Sequence, residues 1–465
     1  MINYYNRRHL LKLMSLAIGG GIFACANPKA LSKEHQDRIL VIGAGIAGLA
    51  AARALAEQGI RTTILEGRSR IGGRIHTDRS LNNIPLDLGA SWIHGIEDNP
   101  IYELAKSTNI RTLKTAYTEI QLYGNGKFLS DQEKEAIDQQ LAKVLRATAK
   151  VREQRTNQEQ ADISLKFALE QVINSKNLQF SSQKLQELNY AINTAIEHEF
   201  AADAGDLSLY HWDHSNAVKG EDVLFPDGYE QIINLIAEGL DIKLNQIVKN
   251  ITYNSQEVIV TTNQGSFTAD KAIITLPLGV LKQGNLEFVP SLPDRKIKAI
   301  QSLGMGTLNK VYLQFPNVFW DQEAHLLGSI SNNKGEWAEW LNIYFYTQQP
   351  ILLGFNAGSY GKAIESLSDQ GIVAGAMQTL QQMYGSKIPN PTGYLVTRWQ
   401  QDPFSYGSYS YMATGSTPND RQALAESVNS RLFFAGEATS QNYPSTVHGA
   451  FLSGVEVAQK VVLNR

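Results

Sequence analysis

Residues 38–66 read RILVIGAGIAGLAAARALAEQGIRTTILE, and this stretch decides the fold. Arg38 to Ile42 is a short apolar run ending at glycine, the pattern of a buried parallel strand. Ile46 to Gln58 carries alanine and leucine at helical spacing, and Gly59 closes it. Arg61 to Leu65 is the next strand, so the segment predicts a βαβ unit. Between strand and helix stands Gly43-Ala44-Gly45-Ile46-Ala47-Gly48. The first glycine permits a tight turn, the second lets a pyrophosphate approach the backbone, and the third lets helix pack on strand. The free N–H groups of the helix start, at Ile46 and Ala47, then face the phosphates with the positive end of the dipole. Glu66 ends the second strand, where a carboxylate can accept ribose hydroxyls.

The chain continues Gly67-Arg68-Ser69-Arg70-Ile71-Gly72-Gly73-Arg74. Paired glycines let this segment approach the cofactor closely, and Arg74 can neutralise pyrophosphate charge. A nicotinamide site does not need such an extension, so the combination points to FAD. The expected fold class is α/β: a Rossmann-like FAD-binding domain with an inserted α+β substrate-binding domain of mixed sheet plus helices.

Bulk composition narrows the function. The 465 residues are 43% hydrophobic and include 37 glycines, enough for two sizeable cores. With 42 basic and 45 acidic side chains, the net charge is -3 and there is no long Lys/Arg block. Nucleic-acid binding therefore has no electrostatic footprint. A single cysteine, Cys25, excludes an intrachain disulfide, and no His/Asp/Glu group has zinc-type spacing.

Asn6-Arg7-Arg8-His9-Leu10-Leu11-Lys12 resembles a twin-arginine export signal, with a modestly apolar run from Leu13 to Ala26 and small residues at Ala24-Cys25-Ala26. That run is too short and glycine-rich for a membrane span. The expectation is folded export by the twin-arginine machinery, to the periplasm or beyond. The alternatives are a cytoplasmic chain or lipid attachment at Cys25, which Phe23 fits poorly.

Between Gly126 and Gly205 there is neither glycine nor proline, and Ile137, Leu141, Val144 and Leu145 keep to one helical face. This predicts a helical insertion. Strand patterns return at Asp241 to Leu244, Gln246 to Tyr253, Glu257 to Thr262 and Lys271 to Leu276, with Gln264-Gly265 as a turn pair. Leu308 to Phe315 and Gln349 to Ala357 suit a second sheet. Leu432 to Ala435 is a late strand, and a helix from Val447 to Leu463 ends the chain. The expected division is a signal and linker over 1–36, a discontinuous FAD-binding domain over 37–95, 221–295 and 400–465, and a substrate-binding domain over 96–220 and 296–399.

Five blocks carry a family resemblance: Leu88-Gly89-Ala90-Ser91-Trp92-Ile93-His94-Gly95, Thr275 to Leu281, Gly306 to Val311, Gly407 to Tyr411, and Phe434 to Glu437 through Thr446 to Ala450. With the fingerprint, the chain resembles the flavin amine oxidases from Arg38 onward, most sharply plant-type polyamine oxidases and the catalytic domain of flavin histone demethylases. The resemblance implies that Gly89, Ala90, Ser91, Trp92, Val248, Trp399 and Gly436 lie against FAD. Glu437 would hydrogen-bond the ribityl chain, while Thr446 and Val447 would open the helix aimed at the flavin. Ser408 stands where monoamine oxidases carry the flavin-linked cysteine, which implies non-covalent FAD.

Lys310 corresponds to the lysine that holds a water beside the flavin, and Tyr409 to one wall of an aromatic cage. Thr446 replaces a second aromatic wall and leaves a roomier pocket. His94 would lie near the reacting nitrogen. Glu197, Glu199 and Asp203 fall in a region that lines the family's tunnel, where spaced carboxylates would match a polyamine; a solvated acidic helix end is the equal alternative. Trp92 and Tyr443 are equally cage or core. The implied partners are a polyamine such as spermine or spermidine and dioxygen, with hydrogen peroxide as a product. Other readings are oxidation of another amine or an L-amino acid with Arg398 as carboxylate anchor, a quinone-linked dehydrogenase, or a non-catalytic amine-binding flavoprotein.

Overall fold

The computed structural model describes residues 38–175 and 180–463. The export-signal reading and Cys25 lie outside them.

Five parallel strands form the central sheet, in the order Asp241–Lys243, Thr62–Leu65, Ile39–Ile42, Lys271–Ile274 and Leu432–Phe434. Ile39–Ile42 lies in the middle with all four side chains buried, so it must be apolar on both faces. Ile39 and Val41 pack into a core with helices Ile46–Glu57, Glu230–Ala237 and Val447–Leu463. Leu40 and Ile42 face the opposite way, into a core that includes Ile251, Val258 and Val260. Those three residues belong to a four-stranded sheet, Gly265–Ala269, Val258–Thr262, Val248–Tyr253 and Glu287–Val289. Gln264 does sit in the expected turn, and Gly265 opens a strand that the alternation of the sequence did not reveal.

The second large sheet has seven strands, ordered Gly393–Val396, Leu308–Gln314, Ile351–Ala357, Glu339–Asn342, Leu326–Ser329, Ile120–Gly124 and Lys127–Phe128. In Leu308–Gln314, Val311 and Leu313 enter one core while Tyr312 enters another. The alternation of the strand therefore turns Lys310, two residues before Tyr312, away from the Val311 core.

The glycine-free stretch forms helices Asp131–Asn157, Leu165–Ile173 and Ser182–Ile192, whose apolar faces share one core. Ser130 and Glu133 cap the first reciprocally. The third runs through a wide π-turn, Asn193–Glu197, and ends at Ala201 in the left-handed region with φ 51°. No helix among the described residues is long and apolar enough to cross a membrane. No group of three or more potential metal ligands occurs among them either.

Helix Ile46–Glu57 lies against the last helix with almost no side chain between them. A Cβ on Gly454 would stand 2.1 Å from the Ala47 carbonyl oxygen. Gly454→Ala is therefore expected to lower stability by about 1–3 kcal/mol in urea denaturation. Gly371→Ala, at a helix position where a Cβ would make only ordinary contact, 3.5 Å from Ser368 Oγ and 3.6 Å from Leu367 Cβ, should be neutral or raise stability by up to about 1 kcal/mol. Equal losses at both positions would show that helix contact is not the cause.

Candidate active site

A cavity of about 720 Å³ runs from the fingerprint to the second sheet. Its walls include Gly43, Gly45, Ile46, Ala47, Glu66, Gly67, Arg68, Gly73, Arg74, Gly89, Ala90, Ser91, Trp92, Val248, Trp399, Gly436, Glu437, Thr446 and Val447. Gly48 is the exception among the expected cofactor contacts. A Cβ there would lie 2.0 Å from the Gly43 carbonyl, so it serves helix packing rather than ligand contact.

The fingerprint end is built for a ligand that approaches backbone. Gly43 has φ +106°, and a Cβ on Gly45 would meet no atom within 4 Å because it would enter the cavity. No side chain caps helix Ile46–Glu57, which leaves its N–H groups open to a phosphate. Glu66 is fixed by the fingerprint turn and its own loop, accepting from Ala44 N (2.7 Å) and Arg68 N (2.9 Å). The Arg68 guanidinium is paired in bidentate fashion with Asp402 and lies over the Phe404 ring. Asp402 and Phe404 were not singled out in the sequence, because they reach this rim from more than three hundred residues away.

A charged network floors the middle of the cavity. Arg74 Nη1 donates to Glu437 Oε1 at 2.8 Å, and Glu437 Oε2 accepts from the Ser410 hydroxyl at 2.6 Å and from Ser445 N at 3.1 Å. Arg421, only 1% exposed, donates to the same Ser410 oxygen. Burial opposes charge on Glu437, yet the Arg74 and Arg421 guanidiniums outweigh it and hold the carboxyl below its usual 4.5. Ser408 lines the cavity with its hydroxyl held between Leu308 N and Leu308 O.

Lys310 closes the far end. Nζ donates to Asp87 O (2.7 Å), Gly89 O (2.5 Å) and Ser91 Oγ (2.5 Å), so an ammonium has all three protons engaged. Burial lowers its pKa, opposed by the charge of Asp87. Asp87 is itself buried, which raises its pKa, while the Thr77 hydroxyl and the Lys310 charge pull it down. Trp399 packs beside this end with Nε1 on Leu88 O.

A second cavity, about 310 Å³, shares Tyr409, Ser445 and Thr446 with the first. Its wall also holds His94, Glu199, Asp222, Arg421, Tyr443 and His448. The Tyr409 hydroxyl donates to His198 O at 2.6 Å, which fixes its ring between the two spaces. The Thr446 hydroxyl donates to Tyr443 O and accepts from Gly449 N, so it caps the last helix and is committed there. Trp92 lines the larger cavity, its Nε1 held by Thr115 Oγ1. Tyr443 faces the smaller cavity edge-on to His448.

Two of the expected tunnel carboxylates are elsewhere. Glu197, 3% exposed, lines neither cavity; it accepts from Asn193, Ala204 N and Lys334 and pins the π-turn. Asp203 accepts from Ser359 N and fixes the start of the short helix at Gly358. Glu199 alone of the three lines a cavity, two residues past the π-turn that holds Glu197. The carboxylate the sequence did not disclose is Asp222, brought to His94 by strand pairing across 128 residues. Arg398 faces away, bound to Glu365 O, Leu367 O and Asp369, so it cannot anchor a substrate carboxylate.

Residues 46–462 match the family described as flavin containing amine oxidoreductase, and the chain belongs to that family. It is an FAD-dependent amine oxidoreductase with a Rossmann-like FAD-binding region and an inserted mixed α+β domain. It is 36% identical to polyamine oxidase 4 of Oryza sativa subsp. japonica over 94% of this chain and 89% of that one. It is also 36% identical to lysine-specific histone demethylase 1 homolog 1 of Arabidopsis thaliana, over 94% of this chain but 53% of that protein. The chain thus spans about half the length of that demethylase. A redesigned putrescine oxidase has the same fold, with TM-score 0.74 at 20% identity over 92% of this chain and 99% of that one.

Because Glu437 titrates lower folded than unfolded, its stabilising charge is complete above about 4.5 and fades as pH falls through the folded value. Glu437→Gln is expected to cost about 3 kcal/mol at neutral pH, with the difference from wild type narrowing under acid. A difference that stays constant with pH would remove the charge from the explanation.

Proposed function

We propose that the protein is a polyamine oxidase acting on spermine- or spermidine-type amines. The observation that carries this reading is the wall shared by the two cavities. Tyr409 and Thr446 separate a cofactor-sized space from a smaller one bearing the carboxylates Glu199 and Asp222. A cation entering the smaller cavity gains from those carboxylates and from the ring face of Tyr409.

The larger cavity would hold FAD with the fingerprint and Arg74 toward its phosphates, Glu66 toward the ribose, and Lys310 and Trp399 at the opposite end. FAD, when bound, supplies the acceptor for a hydride from the carbon next to the amine nitrogen, and dioxygen takes the electrons to give hydrogen peroxide. The chain's own residues bind and orient the amine. Tyr409, held by His198 O, limits the approach to one direction. Removal from water strengthens each polar contact. The imine is hydrolysed by water, and Lys310, its three protons held by Asp87 O, Gly89 O and Ser91 Oγ, lines the far wall where that water would enter. Thr446 leaves room for a long, unbranched chain beside Tyr409.

Export through the twin-arginine route belongs to the same reading. Arg7 and Arg8 support it, and a folded, cofactor-loaded enzyme is the cargo that route would carry.

The test is anaerobic mixing of the FAD-loaded protein with spermine, spermidine, putrescine, benzylamine and L-amino acids. Spermine or spermidine should bleach the flavin fastest; faster reduction by benzylamine or an amino acid would overturn the polyamine assignment. Lys310→Met should slow flavin reduction or reoxidation by about tenfold or more while FAD stays bound. Undiminished turnover would take Lys310 out of the chemistry.

A further inference from the structure

Strand Asp222–Leu224 is the middle of three. Leu224 stands opposite Trp92 and Val223 opposite Ile93, while Asp222 stands opposite Thr115 on the other side. One more residue along that register brings His94 to Asp222, and the chain beyond Thr115 brings Tyr117. The carboxylate accepts from Gly95 N at 2.8 Å and from the Tyr117 hydroxyl at 3.1 Å, and it contacts His94 Nδ1 at 2.8 Å. Among the described residues His94 is its one ion-pair partner, and His94 Nε2 has no protein partner. The imidazole and the carboxylate both line the smaller cavity.

We infer that Asp222 is a positioning residue that holds His94 as the Nδ1–H tautomer and so leaves the Nε2 lone pair for the substrate nitrogen. This rests on the amine-oxidation reading of the cavity. Which ring nitrogen carries the proton is set by the hydrogen bond the other end must make, and an ionised carboxylate can only accept. The neutral ring then offers Nε2 as an acceptor. An alkylammonium N–H bond breaks, its proton passes to Nε2, and the electron pair stays on nitrogen as the free amine. The imidazolium that forms keeps its Nδ1–H on Asp222, whose negative charge matches it. Only the free amine has the lone pair that oxidation of the adjacent carbon requires.

The other ionisable groups around this ring are Glu199, His214, Tyr409, Tyr411, Arg421, Tyr443 and His448 in the same cavity, with Tyr117 behind the carboxylate. Partial burial opposes charge on His94, but Asp222 and then Glu199 outweigh it and raise the ring above its usual 6.5. His448 is pushed down to about 4 by burial and by His94, so it stays neutral. The raised value makes the neutral ring a stronger base, and its capacity to accept is lost as pH falls through that value.

The experiment follows the His94 imidazole by nitrogen-15 NMR in the FAD-loaded protein, alongside kcat/KM for spermidine against pH. Wild type should show the Nδ1–H form and a midpoint above 6.5. Asp222→Asn should lower that midpoint by about one unit and mix the tautomers. Tyr117→Phe, which removes a donor from the carboxylate, should shift the midpoint the opposite way. The acid limb of kcat/KM should move with the midpoint in both variants. An unchanged midpoint in Asp222→Asn, or an acid limb that ignores the midpoint, would overturn the proposal. If Asp222→Asn fails to fold, the direction of the Tyr117→Phe shift decides. Should no amine be oxidised, the cavity reading fails, while the tautomer and midpoints still judge Asp222 separately.

Discussion

The contact between Arg74 and Glu437 joins parts of the chain 363 residues apart and sets the floor on which the active site rests. A buried carboxylate is costly unless its charge and lone pairs are met, and Glu437 accepts from the Arg74 guanidinium, the Ser410 hydroxyl and the backbone N–H groups of Ser410 and Ser445, with the Arg421 charge nearby. Those partners come from the loop after the first βαβ unit, the block around Ser410, the helix at Arg421 and the turn before the last helix. Each must arrive in place for the charge to be tolerated. The late strand and its following loop are thereby locked to the early fingerprint, and the walls of the larger cavity follow from that closure.

Lys310 imposes a second constraint from the other sheet. Its three acceptors span Asp87 to Ser91, so one buried ammonium fastens the inserted domain to the segment leading into Trp92 and His94. The same segment pairs with Asp222–Leu224. Cofactor end and substrate end are therefore positioned by one short stretch of chain, with Lys310 on one side and Asp222 on the other. Through that stretch Asp222 reaches His94, the ring proposed to take the amine's proton.

The sequence made the cofactor side legible because its requirements are local. Gly43, Gly45 and Glu66 announce themselves through turn geometry, helix start and strand end within one βαβ unit. Lys310 was identifiable by its motif, although not its three acceptors, which only the folded chain assembles. The substrate side was harder to read. Glu197, Glu199 and Asp203 look alike in the sequence, yet Glu197 is buried within the π-turn, Glu199 lines the cavity, and Asp203 lies beyond the helix end and holds Ser359 N. Asp222 and Asp402 have no local signature, since register and long-range packing alone bring them to His94 and Arg68. Thr446 lines both cavities, and its hydroxyl is consumed by a helix cap that the i-to-i+3 spacing, Thr446 to Gly449, also indicates.

The most direct measurement is a crystal structure of the FAD-loaded protein holding a non-oxidisable polyamine analogue. The flavin ring is expected beside Lys310 and Trp399, with the analogue's nitrogen on the far side of Tyr409 and Thr446, within hydrogen-bonding reach of His94. An analogue bound outside the smaller cavity, or a flavin ring remote from Lys310, would contradict it.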